Sequence, residues 1–344
     1  MPLPSRLAGV VALVLVAALA GCTPAAAPEP TPTITAEPRP TPDVVVPAVA
    51  LPVMPLSAFG GDCSVVATDA EVSAATGGAV TATPYSGDDM PDWVVQSLGG
   101  IRCAWGPADA NGVWVTVIPV AAAGQDVVDE ASDGEPSCYG GYVDAGYQDA
   151  CSFSTTVGDW WYAGVVYTAP DSDVEASDAI DELVADFATR STAHPATVPT
   201  ALDRTWTATP DCDALDEAVD TTSIGIDLDA VAGNQPEEAG PGFYGAVTAI
   251  GEQTCYWEDA DGAQAQTGIL PGGWWALERE ALRPGAAAVS VPGTTRSVLV
   301  PEPDGSTSAT VYVTDGVNLV AARGTLDPGQ LGALAVLVME GVTG

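Results

Sequence analysis

Apolar residues recur along this chain with two periods, and the order of those periods is written twice. Ile180, Leu183, Val184 and Phe187 share one face of a helix. Glu175, Asp178 and Asp181 lie early in it and Arg190 near its end, where each sign suits the helix dipole. The same four positions return 151 residues later as Leu331, Leu334, Ala335 and Val338, behind Asp327-Pro328, a cap with proline at the first helical position. Ahead of each helix the period shortens to that of strands. Residues 101–105 and 113–118 flank the turn Asp109-Ala110-Asn111-Gly112, and 160–167 closes a meander over 139–168 with Gly158-Asp159 between strands. The second half answers with Cys255-Tyr256-Trp257, the turn Asp259-Ala260-Asp261-Gly262, and strands at 296–300, 310–314 and 317–322.

Shorter helices complete the pattern. Thr68 and Glu71 form a capping box before Val72, Ala74 and Ala75, and Gly77-Gly78 stops that helix. Asp173 is placed to cap the 180–187 helix, a polar helix is expected over 125–131, and another helix over 274–282. Cys212 leads a helical pattern at Leu215 and Val219. Cys63 precedes Cys212 by 149 residues, and Cys103-Ala104-Trp105 precedes Cys255-Tyr256-Trp257 by 152. Near-equal offsets at three independent landmarks mark a tandem duplication. The pattern predicts an α+β fold of two tandem homologous domains, 56–191 and 208–344, each an antiparallel sheet packed by helices. Residues 192–207, with Pro195, Pro199 and the single histidine His194, read as a linker.

The N-terminal 55 residues carry neither period. Arg6, an apolar run from Leu7 to Leu19 and Leu19-Ala20-Gly21-Cys22 form a targeting segment over 1–22, its run of about 13 residues being too short for a permanent span. Residues 23–55 are rich in proline, threonine and alanine and read as an extended polyproline-type spacer. Thr31, Thr33 and Thr41 lie among its prolines as candidate acceptors of O-linked sugar.

Charge narrows the partners. Nine basic residues, all arginine, against 46 acidic ones give a net charge of −37. Such a surface repels nucleic acid and anionic headgroups, so no nucleic-acid partner is expected. With 47% apolar and 16% charged residues the chain has the balance of a folded body rather than a disordered one.

With Cys22 set aside, six cysteines remain, and an exported chain is expected to oxidise them into three disulfides. If corresponding cysteines make corresponding bonds, Cys63 pairs with Cys103 and Cys212 with Cys255, which leaves Cys138 for Cys151. The closed loops, near 40 and 13 residues, are worth roughly 4 and 3 kcal/mol through the unfolded chain. A zinc site lacks support, because neither repeat holds a Cys-x-x-Cys or a histidine.

Catalytic signatures are missing from the sequence. There is no Gly-x-Ser-x-Gly, no Ser-x-x-Lys in a chain without lysine and no Walker-type phosphate-binding loop. No catalytic residue, cofactor or metal ligand is assigned. The acidic turns at 259–262 and 171–175 look like calcium loops but complete none, and read as a hairpin turn and a helix start. The candidates for binding are aromatic. Trp160-Trp161-Tyr162 sits on a strand, where neighbours face opposite ways, so one tryptophan packs inside while the other either is exposed for binding or packs under the last helix. Trp161, Trp274 and Trp275 are therefore the candidate binding residues, for a sugar ring, a small molecule or a protein partner. The groove where two duplicated domains meet is a third candidate.

Leu19-Ala20-Gly21-Cys22 is the pattern of the bacterial lipobox. Together with the proline-rich spacer and a domain holding a cysteine before its first helix and a later Cys-x-Trp strand, the chain resembles lipid-anchored lipoproteins of actinobacteria that have no assigned activity. Those are usually single-domain, so the tandem copy is a departure. The resemblance implies diacylglycerol on the Cys22 thiol, cleavage before it, and anchoring to the outer face of the cell membrane. It also implies an exported α+β body and, by likeness to extracellular sensor domains, a non-catalytic binding or sensing module for an envelope protein, glycan or small molecule. The alternatives are a cell-wall enzyme using paired carboxylates and a structural scaffold of the envelope.

Overall fold

The computed structural model describes residues 54–83, 90–107, 111–132, 137–140, 146–232, 253–260, 262–302 and 307–343. Cys22, the leader and the spacer through residue 53 lie outside the described residues, as do Asp109, Ala110 and Asp261. Residues 50–344 form one compact unit.

Two antiparallel sheets organise it. The first comprises β1 (Ala82–Thr83), β2 (Ile101–Trp105), β3 (Gly112–Pro119), β4 (Ser137–Gly140), β5 (Asp149–Val157) and β6 (Trp160–Tyr167), in the order β1-β2-β3-β6-β5-β4. The second comprises β7 (Asp229–Ala232), β8 (Gln253–Asp259), β9 (Gly262–Leu270), β10 (Ala287–Ala288), β11 (Arg296–Pro301), β12 (Ala309–Thr314) and β13 (Leu319–Gly324). Its order is β7-β8-β9-β13-β12-β11-β10. Six successive strands thus keep the order of the first sheet, with β10 added at the far edge. Antiparallel β2–β3 and β8–β9 hairpins hold the two Cys-x-Trp strands at matching places.

Three clusters of buried residues decide how the sheets stack. On one face of the first sheet, Val113, Val115, Trp160 and Tyr162 pack against α2 (Asp69–Thr76) and α6 (Ala176–Ser191). On one face of the second, Val311, Val313, Val320 and Ala322 pack against α7 (Cys212–Ala218) and the last helix, α9 (Pro328–Thr343). The third cluster lies between the sheets. Ile118, Trp161 and Ala163 of the first sheet and Leu270, Val298, Tyr312 and Leu319 of the second bury the helices α3 (Met90–Ser97) and α8 (Trp274–Glu280). The short helices α4 (Val120–Ala123) and α5 (Gln125–Ser132) join them through Ala123 and Val128. Trp93 of α3 meets Tyr312 of β12 edge to face, with ring centroids 5.7 Å apart. Gly268 leaves room for this approach, since a Cβ there would lie 2.7 Å from Met90 Cε.

Local chemistry explains the ends of the helices. The Thr68 side chain accepts from the Glu71 N–H, and Glu71 accepts from the Thr68 N–H at 2.7 Å, before Gly77 closes α2 in the left-handed region. Asp327 caps α9 by accepting from the N–H groups of Gly329 and Gln330, and Leu331, Leu334, Ala335 and Val338 are fully buried. The expected cap at Asp173 is not used: α6 starts after Glu175, whose side chain makes no capping bond, and Asp149 of β5 accepts from the Ala176 N–H at 3.3 Å instead. A carboxylate from a neighbouring strand serves a helix end that the local sequence seemed to serve itself.

Three disulfides close, Cys63–Cys103, Cys138–Cys151 and Cys212–Cys255. The first and third each tie the helix that begins at its first cysteine to a Cys-x-Trp strand, and both span a Cα separation of 5.6 Å. The second clips β4 to β5, where Cys138 and Cys151 face each other in register. No helix among the described residues is long and apolar enough to cross a membrane.

Candidate functional site

A cavity of about 930 Å³ opens where both sheets and the segment between them meet. The first half contributes residues 55–60, the end of α3 and the exposed face of α4, with Trp160 at the start of β6. Residues 194–207, expected to be a plain linker, supply much of the rest, and Pro271, Gly272 and Trp275 come from the second half. Phe59, Trp160, Trp206 and Trp275 are its large rings.

Several contacts fix this lining. The Trp160 indole N–H donates to the His194 carbonyl at 2.7 Å, and the Phe59 ring lies 4.8 Å from Trp160 and edge-on to His194 at 5.4 Å. Gly99, at φ +77°, ends α3 directly under the linker, and a Cβ there would sit 2.6 Å from the Thr197 carbonyl oxygen. Asn318 holds the other end. Fully buried, it accepts from the N–H groups of Trp206 and Gly272, each at 3.0 Å. Its amide donates to the Arg204 carbonyl at 3.0 Å and to Asp315 at 2.9 Å. All four hydrogen-bonding positions of the side chain are used, and two of the four serve backbone that lines the cavity.

Backbone strain gathers here. Among the described residues, Phe59 (φ 53°) and Arg204 (φ 70°) are the non-glycine residues in the left-handed region. Phe59 lines the cavity, and Arg204 stands between the lining residues Leu202 and Thr205. A side chain in that region costs about 1–2 kcal/mol, and such costs persist mainly where the surroundings enforce them, often at binding sites.

Among the described residues the lining carries no Asp, Glu, Arg, Asn or Gln, and His194 is its one titratable side chain. Three lining residues have buried polar atoms without a hydrogen-bond partner: the Ser97 and Thr205 hydroxyls and the Trp275 indole N–H. The buried carboxylates lie elsewhere. Asp92 faces Arg102 at 3.1 Å and Glu280 faces Arg283 at 3.0 Å. Burial raises the pKa of the Tyr312 phenol, and the Glu280 carboxylate beside it adds to the shift. Among the described residues no group of three or more His, Cys, Asp or Glu side chains is arranged to hold a metal ion.

The predicted aromatic candidates divide. Trp275 lines the cavity. Trp161 does not: it is fully buried between the sheets, donating its indole N–H to the Ser154 hydroxyl at 2.8 Å. Trp274 is half-buried against the same cluster and contributes nothing to the lining. Of the two readings of this doublet, packing holds, because both faces of the first sheet are covered and leave Trp160 and Trp161 3% and 0% exposed. Alternation does send them to different clusters, and the one that borders the cavity is Trp160. Nothing in the sequence pattern marked Phe59, Trp206 or Asn318. Pro195 and Pro199 around His194 were the available signal that the linker is held stiffly. Compared with known protein families, characterised proteins and solved structures, the chain finds no match.

Proposed function

We propose that this chain is an extracytoplasmic binding module, tethered to the membrane through lipid on Cys22, and that the cavity between its repeats is the binding site. The observation that supports this best is the coincidence of the cavity with the strained Phe59 and Arg204 backbone and with four large rings drawn from both repeats and the linker. A mere packing gap gives no reason to hold an aromatic residue in a costly conformation at its edge. Among the described residues no carboxylate lines the cavity, which favours binding over hydrolysis by paired acids, a reaction that needs two carboxyl groups converging on one bond. The Leu-Ala-Gly-Cys motif supports the tether, and the matched strand orders of the two sheets support descent from one duplicated domain.

Two measurements test the reading. Cells fed an alkyne-labelled fatty acid should label the wild-type chain and keep it in the membrane fraction, whereas Cys22→Ser should lose both; an unchanged distribution refutes the tether. For the site, full-length protein incubated with a solvent extract of envelope and then washed should retain a compound detectable by mass spectrometry and gain thermal stability by mass action. Retention that is unaffected by Ala201→Trp, an exposed lining position on the linker, would place the ligand elsewhere.

A further inference from the structure

If the cavity is the binding site proposed above, the chemistry of its lining also selects the class of ligand. At 16% charged residues overall, 26 residues drawn at random would include about four charges, and the 26 described lining residues include none. An anion would approach a body of net charge −37 and find no arginine to pair with. A cation would be drawn to the body but, once inside, would leave water without a carboxylate partner, a cost that burial does not return. Sugars are recognised through side chains that accept and donate in fixed pairs, chiefly carboxylates and amides, and the lining offers none. Rings, prolines and methyl groups favour hydrocarbon surface.

The unpartnered Ser97, Thr205 and Trp275 polar atoms are themselves buried and present nothing to the open space. The geometry points to an uncharged, mainly hydrocarbon small molecule. The volume suits a single molecule of that class.

Four fluorescent or competing probes separate the possibilities on the full-length chain. N-phenylnaphthylamine is neutral and lacks oxygen, anilinonaphthalene sulfonate adds a negative charge to the same skeleton, phenyltrimethylammonium is a cation, and prodan is a neutral naphthalene ketone. The two neutral dyes are expected to bind saturably and at least about tenfold more tightly than either ion. Ala201→Trp and Ala121→Phe, both at exposed lining positions, should abolish that binding. Trp275→Phe keeps a ring in the lining and removes only a buried N–H, and should spare both neutral dyes. The His194 ring, the only histidine signal in the spectrum, should shift on addition of either neutral dye. Tighter binding of an ion, lost in the filled variants, overturns the neutral-ligand inference and leaves the binding site standing. No probe response to either filling substitution overturns the site as well.

Discussion

Trp105 and Trp257 hold matching places in the two sheets, both fully buried, yet their indole N–H groups fare differently. Trp257 donates to the Thr267 hydroxyl at 2.8 Å, whereas Trp105 has no acceptor. Register explains it: Cys255 pairs with Thr267, and Cys103 pairs with Val115, so the first sheet has a methyl where the second has a hydroxyl. Thr267→Val is expected to cost about 1–3 kcal/mol by stranding a buried donor. Val115→Thr should stabilise by about 0.5–1 kcal/mol despite placing a hydroxyl in a core. Urea unfolding of the two variants checks this, and a destabilised Val115→Thr protein would show that the indoles are not equivalently placed. The Cys-x-Trp motif was plain in the sequence. Which tryptophan is satisfied was not, because the answer sits on the next strand.

Between elements, Glu71 links α2 to α6. Besides capping α2 it takes both its oxygens to Arg190, at 2.5 and 2.7 Å. Burial alone raises the Glu71 pKa, but Arg190 and the Thr68 N–H and hydroxyl outweigh it and leave the carboxyl below its ordinary 4.5. A carboxyl whose pKa falls on folding adds stability that is full above the unfolded value and is lost as pH drops through the folded one. The stability gap between wild type and Glu71→Gln should be about 1–2 kcal/mol at neutral pH and should close as pH falls below 4.5. Denaturant melts across that range measure it; a gap that persists in acid means the charge on Glu71 is not what joins the helices. The capping box was legible because it is local. Arg190 lies 119 residues away, and only the packing of α6 over α2 brings it there.

At the scale of the whole molecule, the cluster between the sheets joins the two halves through one shared core. Trp93, 1% exposed, belongs to α3 of the first half and packs on Tyr312 of the second. Its replacement by alanine should cost about 3–5 kcal/mol. Calorimetry of the wild-type protein should show one transition whose calorimetric and van't Hoff enthalpies agree, and Trp93→Ala should lower that single transition without splitting it. Two resolved transitions in the wild type would mean that the repeats fold separately. Duplication alone suggests two independent domains; the apolar outer face of each sheet decides otherwise, since neither can be left in water.

The sequence by itself left α3 unmarked but determined most of the longer helices and strands, the α+β class, and the matched spacing of landmarks with the cysteine pairs it favours. These are carried by periods of two and 3.6 residues, by capping residues and by local turns, all of which act between near neighbours. Only the tertiary structure decided that both faces of each sheet are covered, that Trp160 rather than Trp161 borders the cavity, and that a proline-bearing linker forms its wall. Those outcomes depend on which apolar faces meet, and on buried groups such as Asn318 that complete their hydrogen bonds with backbone 46 to 114 residues distant. Such pairings leave no period in the chain.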